Sequence, residues 1–182
     1  YDPRENDSMK LRKELIGREA VSLWRRFFLR TIEDQRVAEG HYILGRVHEA
    51  EGEPLEALRA YQLISGRYWR HKIAAPALLR SARLRIEMRD HRGAGKDLVE
   101  LLDRYPNSAL IGEAYLSWGE ATRQSGRREE AARIYEKLYY FENVDGRLRS
   151  QACVKAAECY FGGRDHAAAA KWATRALGLM KG

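Results

Sequence analysis

Residues 52–61 read GEPLEALRAY and residues 126–135 read GRREEAARIY, so a Gly, a Glu-Ala pair and a Tyr recur at the same relative positions. Two steps of 37 residues separate these stretches. The same step connects a column of five alanines: Ala20, Ala57, Ala94, Ala131 and Ala168. Repetition with a period of this length is typical of proteins built from stacked supersecondary units.

A large apolar side chain follows each of these alanines by about one helical turn. These positions hold Trp24, Tyr61, Leu98, Tyr135 and Trp172. A second column of small residues precedes the alanines by twelve positions, at Gly45, Ala82, Gly119 and Ala156. Small residues let two helix backbones approach, and the large residue fills the space beside them. The columns therefore predict an antiparallel helix pair in each unit, with Ala57, Ala94 and Ala131 at tight contacts.

The composition and the turn residues agree with a helical fold. Ala, Leu, Arg, Lys and Glu supply 95 of 182 residues, which favours helices over strands. Gly52, Gly126 and the pair Gly162-Gly163 suit helix ends, and Pro54 suits a first helical turn. We predict helices at 9–31, 34–51, 54–66, 72–89, 92–104, 108–125, 128–142, 147–161 and 165–179. The predicted fold is all-α, a solenoid of helix-turn-helix repeats with period 37.

The repeats predict how the chain is organised. We expect one array over residues 1–182, with an incomplete unit at 1–37 and full units at 38–74, 75–111, 112–148 and 149–182. The longest apolar run, residues 73–79, is far shorter than the roughly 20 residues that cross a bilayer. The chain starts without Met, so we expect a piece of a longer protein.

These residues resemble the tetratricopeptide repeat family, in which helix A and helix B of each unit pack around small residues. The resemblance implies that the solenoid is a right-handed superhelix. The family's Leu-Gly pair in helix A has its counterpart in Leu44-Gly45, and Pro106 fits its closing proline. Arg85 and Thr122 depart from the pattern, because the family prefers an aromatic residue there. The junction at residues 105–108 resembles bacterial cell-envelope members, such as outer-membrane-assembly lipoproteins and Tol-Pal coordinators. That resemblance implies a periplasmic or cell-envelope location rather than a cytoplasmic one.

The resemblance also implies a non-catalytic scaffold that binds a protein or peptide segment in a concave groove lined by the A helices. The main candidates for this groove are Tyr42, Arg46, Leu79, Arg80, Arg83, Leu116, Glu120 and Tyr160. The same helix faces add Ile43, Ser117, Cys153, Val154, Ala157 and Phe161. Arg46, Arg80 and Arg83 favour an acidic segment. Alternatively, these side chains fill the interior, and the arginines pair with Glu49, Glu87 and Glu120.

A second, competing prediction is nucleic-acid or other polyanion binding. Residues 67–72 read RYWRHK, in which Arg67, Arg70 and Lys72 could hold phosphates while Trp69 stacks on bases. The alternative is that Trp69 covers a seam between helices. The net charge of +7 permits an anionic partner without requiring one, since arginines also form solvated helix faces.

Catalytic and metal-binding motifs are not found in the sequence. His41 and His48 are seven residues apart rather than the three or four that suit two helical metal ligands. Phosphate loops, dinucleotide fingerprints and nucleophile elbows are missing, so we predict no enzyme activity, no metal and no cofactor.

Two features of the last unit carry further predictions. Cys153 and Cys159 are six residues apart on one helix, too divergent for a disulfide between them, so we expect reduced packing residues. The final helix carries Trp172, Leu177, Leu179 and Met180 without a polar cap after it. We therefore predict that this face either mediates self-association or is the cut edge of a longer array.

Overall fold

A computed structural model describes residues 17–19, 21–23 and 35–180 of the chain. Residues 17–19 and 21–23 are helical. Most of the predicted helix at 9–31, together with Ala20 and Trp24 of the repeat columns, lies outside the described residues. Eight helices follow between residues 35 and 180: α1 (Gln35–Ala50), α2 (Pro54–Arg67), α3 (Ala74–Glu87), α4 (His91–Arg104), α5 (Ile111–Gln124), α6 (Arg128–Tyr139), α7 (Gly146–Gly162) and α8 (His166–Met180).

Each helix predicted beyond residue 34 is present, with its ends within three residues of the predicted ones. The largest differences are at the start of α5 and the end of α6. Before α5, the Ser108 hydroxyl accepts a hydrogen bond from the Leu110 backbone N–H, which holds the chain in a turn. The all-α class and the helix-turn-helix repeats are confirmed over the described part of the chain.

The chain divides into two compact units at Ala77 and Leu78, within α3. In the first unit, α1 packs on α2. In the second unit, each helix from α4 to α8 packs on the next, and α5 also contacts α7. The first helices of neighbouring pairs therefore lie side by side in the second unit. The prediction of one continuous array over residues 1–182 stays a prediction.

Three of the turns between paired helices keep the 37-residue period. Gly52, Arg89 and Gly126 take left-handed backbone conformations, with φ of 74°, 61° and 87°. The next N–H in each turn donates to a carbonyl five residues earlier, for example Glu53 to His48 and Arg127 to Thr122. This is the Schellman ending of a helix, which satisfies carbonyls that the helix leaves open.

The fourth turn is displaced by one residue, which corrects two predicted positions. Its left-handed residue is Arg164, with φ of 65°, rather than Gly163. After this turn Ala169 is buried, whereas Ala168 is only half-buried. Trp172, which lies 37 residues after Tyr135, is nevertheless buried, so the column of large residues keeps its step beyond this turn.

The predicted interlocking of small and large residues is confirmed. A Cβ atom added to Gly45 would lie 2.6 Å from Cε1 of Tyr61, and one added to Gly119 would lie 2.3 Å from Cε1 of Tyr135. Each tyrosine ring thus occupies the space that a side chain on the facing glycine would need. Ala57, Ala94 and Ala131 have no exposed surface, in agreement with their predicted place at the helix contacts.

The helix pair of α3 and α4 buries Ala82, Ala94 and Leu98 and adds a polar network to this packing. The Ser81 hydroxyl donates to Asp97 at 2.6 Å, and Nε of Arg85 lies 3.0 Å from the same carboxylate. The guanidinium of Arg85 also pairs with Asp90, which caps α4 by accepting from the N–H of Gly93 at 2.9 Å. Arg85, a departure from the family pattern, therefore ties helix A to helix B through two carboxylates.

The core that α6, α7 and α8 share is rich in small and aromatic side chains. Its buried members are Ala131, Ala132, Tyr135, Leu138, Ala152, Cys153, Ala156, Cys159, Trp172 and Ala176. Both cysteines are free and buried, which confirms the prediction for them. Burial raises the pKa of the two thiols and keeps them protonated.

Candidate functional site

A groove in the second unit runs across α3, α5 and α7 and has a volume of about 630 Å³. Its lining comprises Arg83, Ile86, Glu87, Glu113, Leu116, Ser117, Glu120, Arg123, Tyr135, Leu148, Gln151 and Lys155. All of these except Tyr135 lie on the first helix of a pair. Side-by-side packing of the first helices thus produces the extended surface that the repeats predict.

Most of the charged side chains along this groove form ion pairs within the protein. Nη2 of Arg83 lies 2.5 Å from Oε2 of Glu113, which joins α3 to α5. Lys155 pairs with Glu158 at 3.1 Å along α7. The lining holds three basic and three acidic side chains, so the groove is locally balanced rather than basic. Ion pairs within the protein are the alternative role that the sequence leaves open for the groove arginines. Arg83 does form such a pair, but its partner is Glu113 rather than Glu87.

Glu120 is the most strongly held carboxylate in the groove. It accepts hydrogen bonds from Arg123 at 2.6 and 3.0 Å and from Gln124 at 2.7 Å. These bonds, with that from Arg123 the strongest, lower the pKa of Glu120 to about 2. The Tyr135 hydroxyl donates to it from below at 3.4 Å. Glu120 therefore stays ionised across the physiological range of pH.

The groove brings together three of the main candidates, namely Arg83, Leu116 and Glu120. One other predicted groove residue is wrong, and a second lies in a different cleft. Leu79 is only 4 % exposed and packs in the core, so it offers no surface to a ligand. Tyr160 lines a separate cleft on the other side of α7, where its hydroxyl donates to Glu136 of α6 at 2.7 Å.

The other main candidates lie outside the lining of this groove. Arg80 is half-buried on α3, one turn before Arg83. Tyr42 and Arg46 belong to the first unit, where the Tyr42 ring lies 5.8 Å from that of Tyr61. Their groove roles stay predictions.

The predicted face of α7 is also corrected. Cys153 is fully buried, and Val154, Ala157 and Phe161 line a different surface between α7 and α8. The sequence argument carries the same register from α5 to α7. Neighbouring first helices instead meet edge to edge, so α7 lines the groove with the side that faces α5, through Leu148, Gln151 and Lys155. No signal in the sequence alone separates these two sides of α7.

The surface between α7 and α8 is an apolar trough of about 640 Å³. Its lining includes four alanines of α8 and three large apolar side chains that are exposed, Phe161, Leu177 and Met180. The prediction that Trp172 belongs to this face is wrong, because Trp172 is 3 % exposed and its ring packs 5.6 Å from Tyr139. Leu177 and Met180 match the predicted exposed face. Self-association through it stays a prediction.

The first unit contains a cleft of about 830 Å³ that gathers the whole predicted anion-binding loop. It is lined by Arg36, Glu39, Arg67, Tyr68, Trp69, Arg70, His71 and Lys72. Trp69 is 43 % exposed, and the Arg70 guanidinium lies 4.6 Å from its ring centroid. Trp69 is therefore at the surface of this cleft, and whether it acts there or only covers a seam between helices stays a prediction.

The turn between α1 and α2 contains a cluster of His48, Glu51 and Glu53 with ligand atoms within 4.8 Å of one another. Nδ1 of His48 lies 2.7 Å from the Glu53 carboxylate, and both glutamates are exposed. Exposed acidic groups of this kind are common without an ion, so we assign no metal site to the turn. Within residues 17–19, 21–23 and 35–180, no helix is both long and apolar enough to cross a membrane.

Comparison with known families adds one match, to a tetratricopeptide repeat model over residues 76–108. These residues hold α3, α4 and the junction that follows them. One repeat of the chain thus matches the family. No curated protein matches the sequence.

Solved structures extend the likeness of fold to most of the chain. A crystal structure of MamA superposes with a TM-score of 0.69 at 16% identity, covering 100% of this chain and 96% of that one. BtubC (BKLC) from P. vanneervenii gives 0.71 at 19% identity, covering 93% and 75%. Kinesin light chain TPR-like repeats from Podosopora anserina give 0.69 at 14% identity, covering 97% and 94%. The fold is therefore that of TPR-like helical repeats, and the cell-envelope subtype gains no support.

Proposed function

We propose that the chain is a non-catalytic scaffold that binds an extended segment of a partner protein in the groove across α3, α5 and α7. The observation that carries this proposal is the continuous lining contributed by three successive first helices. TPR-like repeats stack so that such a surface is open to solvent along its length. Protein binding is the function that this geometry supports best.

Apolar contact in the groove comes from Ile86, Leu116 and Leu148, one from each of the three helices. These side chains offer places for apolar residues of a bound segment, and burying a large aliphatic side chain is worth about 1.5–3 kcal/mol. Charged groups surround them. The arrangement fits a segment with alternating apolar and charged residues.

The pair of Arg83 and Glu113 supplies the point at which a carboxylate of the partner binds. The two side chains are 50% and 39% exposed, and exposed pairs of this kind contribute only about 0–1 kcal/mol. A carboxylate from the partner can therefore replace Glu113 at small cost and form a bidentate contact with Arg83. Under this proposal, the preference for an acidic segment acts at one position of the groove.

A display library of random peptides tests the proposal even though the partner is unidentified. Peptides selected on the wild-type chain are measured by fluorescence anisotropy against Arg83→Glu/Leu116→Lys and against Lys171→Glu, a charge reversal on the exposed surface of α8. We expect at least tenfold weaker binding to the groove variant and unchanged binding to the control. Equal affinity for all three proteins, each folded by circular dichroism, would show that the groove is not the binding site.

Glu113→Gln sharpens this test because it releases Arg83 without changing the shape of the groove. We expect peptides with a carboxylate to bind this variant more tightly than the wild type by a few-fold. Weaker binding of those peptides would place their carboxylates elsewhere.

A further inference from the structure

The cleft of the first unit has a charge balance unlike that of the groove. Among the described residues that line it, Arg67, Arg70 and Lys72 are basic and Glu39 is acidic. Glu39 pairs with Lys72 at 3.1 Å, and both side chains remain substantially exposed. Such a surplus of cations in one concave surface concentrates positive potential and attracts anions.

The loop that carries these cations is held in place by its own backbone. The N–H of His71 donates to the Tyr68 carbonyl at 2.8 Å, and the N–H of Ala74 donates to the His71 carbonyl at 2.9 Å. Nδ1 of His71 accepts a further bond from the N–H of Ile73 at 3.3 Å. The side chains of residues 67–72 thus project from a defined turn between α2 and α3.

Trp69 adds a feature that a simple anion site does not need. Its indole is 43 % exposed, and the Arg70 guanidinium lies 4.6 Å from the ring centroid. Aromatic rings beside guanidinium groups form platforms on which nucleobases stack, each worth about 1–3 kcal/mol. Inorganic anions, and the carboxylate side chains of an acidic peptide, have no aromatic ring to stack on such a platform.

We propose that this cleft binds single-stranded nucleic acid, with phosphates at Arg67, Arg70 and Lys72 and a base stacked on Trp69. A single strand fits because its bases are free to leave their own stack, whereas those of a duplex are not. Bases stacked on an aromatic side chain give little sequence preference. The site is separate from the proposed peptide groove and does not depend on it.

The test uses a short fluorescein-labelled oligothymidylate and anisotropy at several salt concentrations, with the same strand in duplex form and poly-glutamate as competitors. We expect log K to fall with log salt with a slope of about −2, since three contacted phosphates contribute about −0.7 each. We expect neither competitor to displace the strand at equal charge concentration. Absence of binding, or equal displacement by poly-glutamate or by the duplex, would overturn the proposal.

Variants separate the stacking from the charge. Trp69→Ala keeps every cation and should lower the affinity by about tenfold. Arg70→Glu should lower it further, whereas Lys171→Glu makes the same change in net charge on α8 and should leave it unchanged. If Arg70→Glu does not fold, Lys72→Ala tests the charge at an exposed loop position. The proposal would be overturned if Trp69→Ala left the affinity unchanged, or if Lys171→Glu lowered it as much as Arg70→Glu does. Either result would show that the strand binds through net charge alone.

Discussion

The repeats at 75–111 and 112–148 share one register, but different kinds of side chain are buried between their paired helices. In the first of them, Arg85 and Asp97 form an ion pair that is mostly buried, with side chains 18% and 15% exposed. The same positions one repeat later hold Thr122 and Ile134, which are 1% and 3% exposed. The repeat architecture therefore determines which two positions are buried between the helices of a pair. It does not determine whether charged or neutral side chains occupy those positions.

The ion pair and the neutral pair occupy equivalent positions, but they differ in the free energy that is lost when one partner is removed. Burial raises the pKa of Asp97, while the hydrogen bond from Ser81 and the positive charge of Arg85 oppose that rise. A buried charge without its partner is costly, whereas a whole ion pair can often be replaced by neutral residues. The unit at 75–111 thus depends on three side chains acting together, and the unit at 112–148 does not.

The largest expected effect comes from breaking that ion pair on one side only. Arg85→Thr leaves Asp97 buried without its cation and should lower the free energy of unfolding by about 3 kcal/mol. Ser81→Ala/Arg85→Thr/Asp97→Ile removes Asp97 together with both of its partners, with the residue types of the next unit at positions 85 and 97. Of the network it leaves Asp90, whose side chain is 44% exposed. It should come within about 1 kcal/mol of the wild type in urea denaturation. A triple variant as unstable as the single one would show that the two units are not interchangeable.

A smaller effect is expected at the alanine column, which the two units share. Ala131→Leu adds bulk where no surface is exposed, and overpacking of this kind costs roughly 1–3 kcal/mol. Ala94→Leu should cost a similar amount, because Ala94 holds the same place in the preceding unit. Ala173→Leu on the exposed side of α8 is the control and should be nearly neutral. Unchanged thermal stability in Ala131→Leu would contradict the assigned register.

The smallest expected effect concerns charge in the groove, where Glu120 occupies the position that Arg83 holds one repeat earlier. Arg123 and Gln124 lower the pKa of Glu120 to about 2, below that of an unfolded carboxyl group. Its contribution to stability is therefore present above about pH 4.5 and is lost as the pH falls towards 2. The difference in stability between the wild type and Glu120→Gln should shrink over that range in chemical denaturation at several pH values. A difference that grows on acidification would contradict the assigned ion pair.

Much of the architecture follows from the sequence because it rests on local signals. Gly52, Gly126 and the alanine column mark turns and close contacts that have to recur once per unit. The sequence does not predict the shift of the fourth turn from Gly163 to Arg164, because a glycine is the usual residue for the left-handed position. An arginine there is uncommon, and only the backbone shows it.

The groove is harder to predict than the fold. Arg83, Leu116 and Glu120 can be found because they lie on the first helices at regular spacing, but Leu79 on the same helix as Arg83 is buried. Which edge of a helix meets its neighbour depends on the angle between helices, and periodicity does not encode that angle. The partner of Arg83 is missed for the same reason, since Glu113 lies 30 residues away on another helix.

Photo-crosslinking is the measurement that tests the proposed function most directly. A photoreactive amino acid replaces Ser117 in the groove and, in a second protein, Ala167 on the exposed surface of α8. Both proteins are saturated with a peptide selected on the wild type, and binding is confirmed by anisotropy before irradiation. The groove account predicts a crosslink from position 117 and none from position 167. A crosslink from position 167 alone, with the peptide bound, would contradict it.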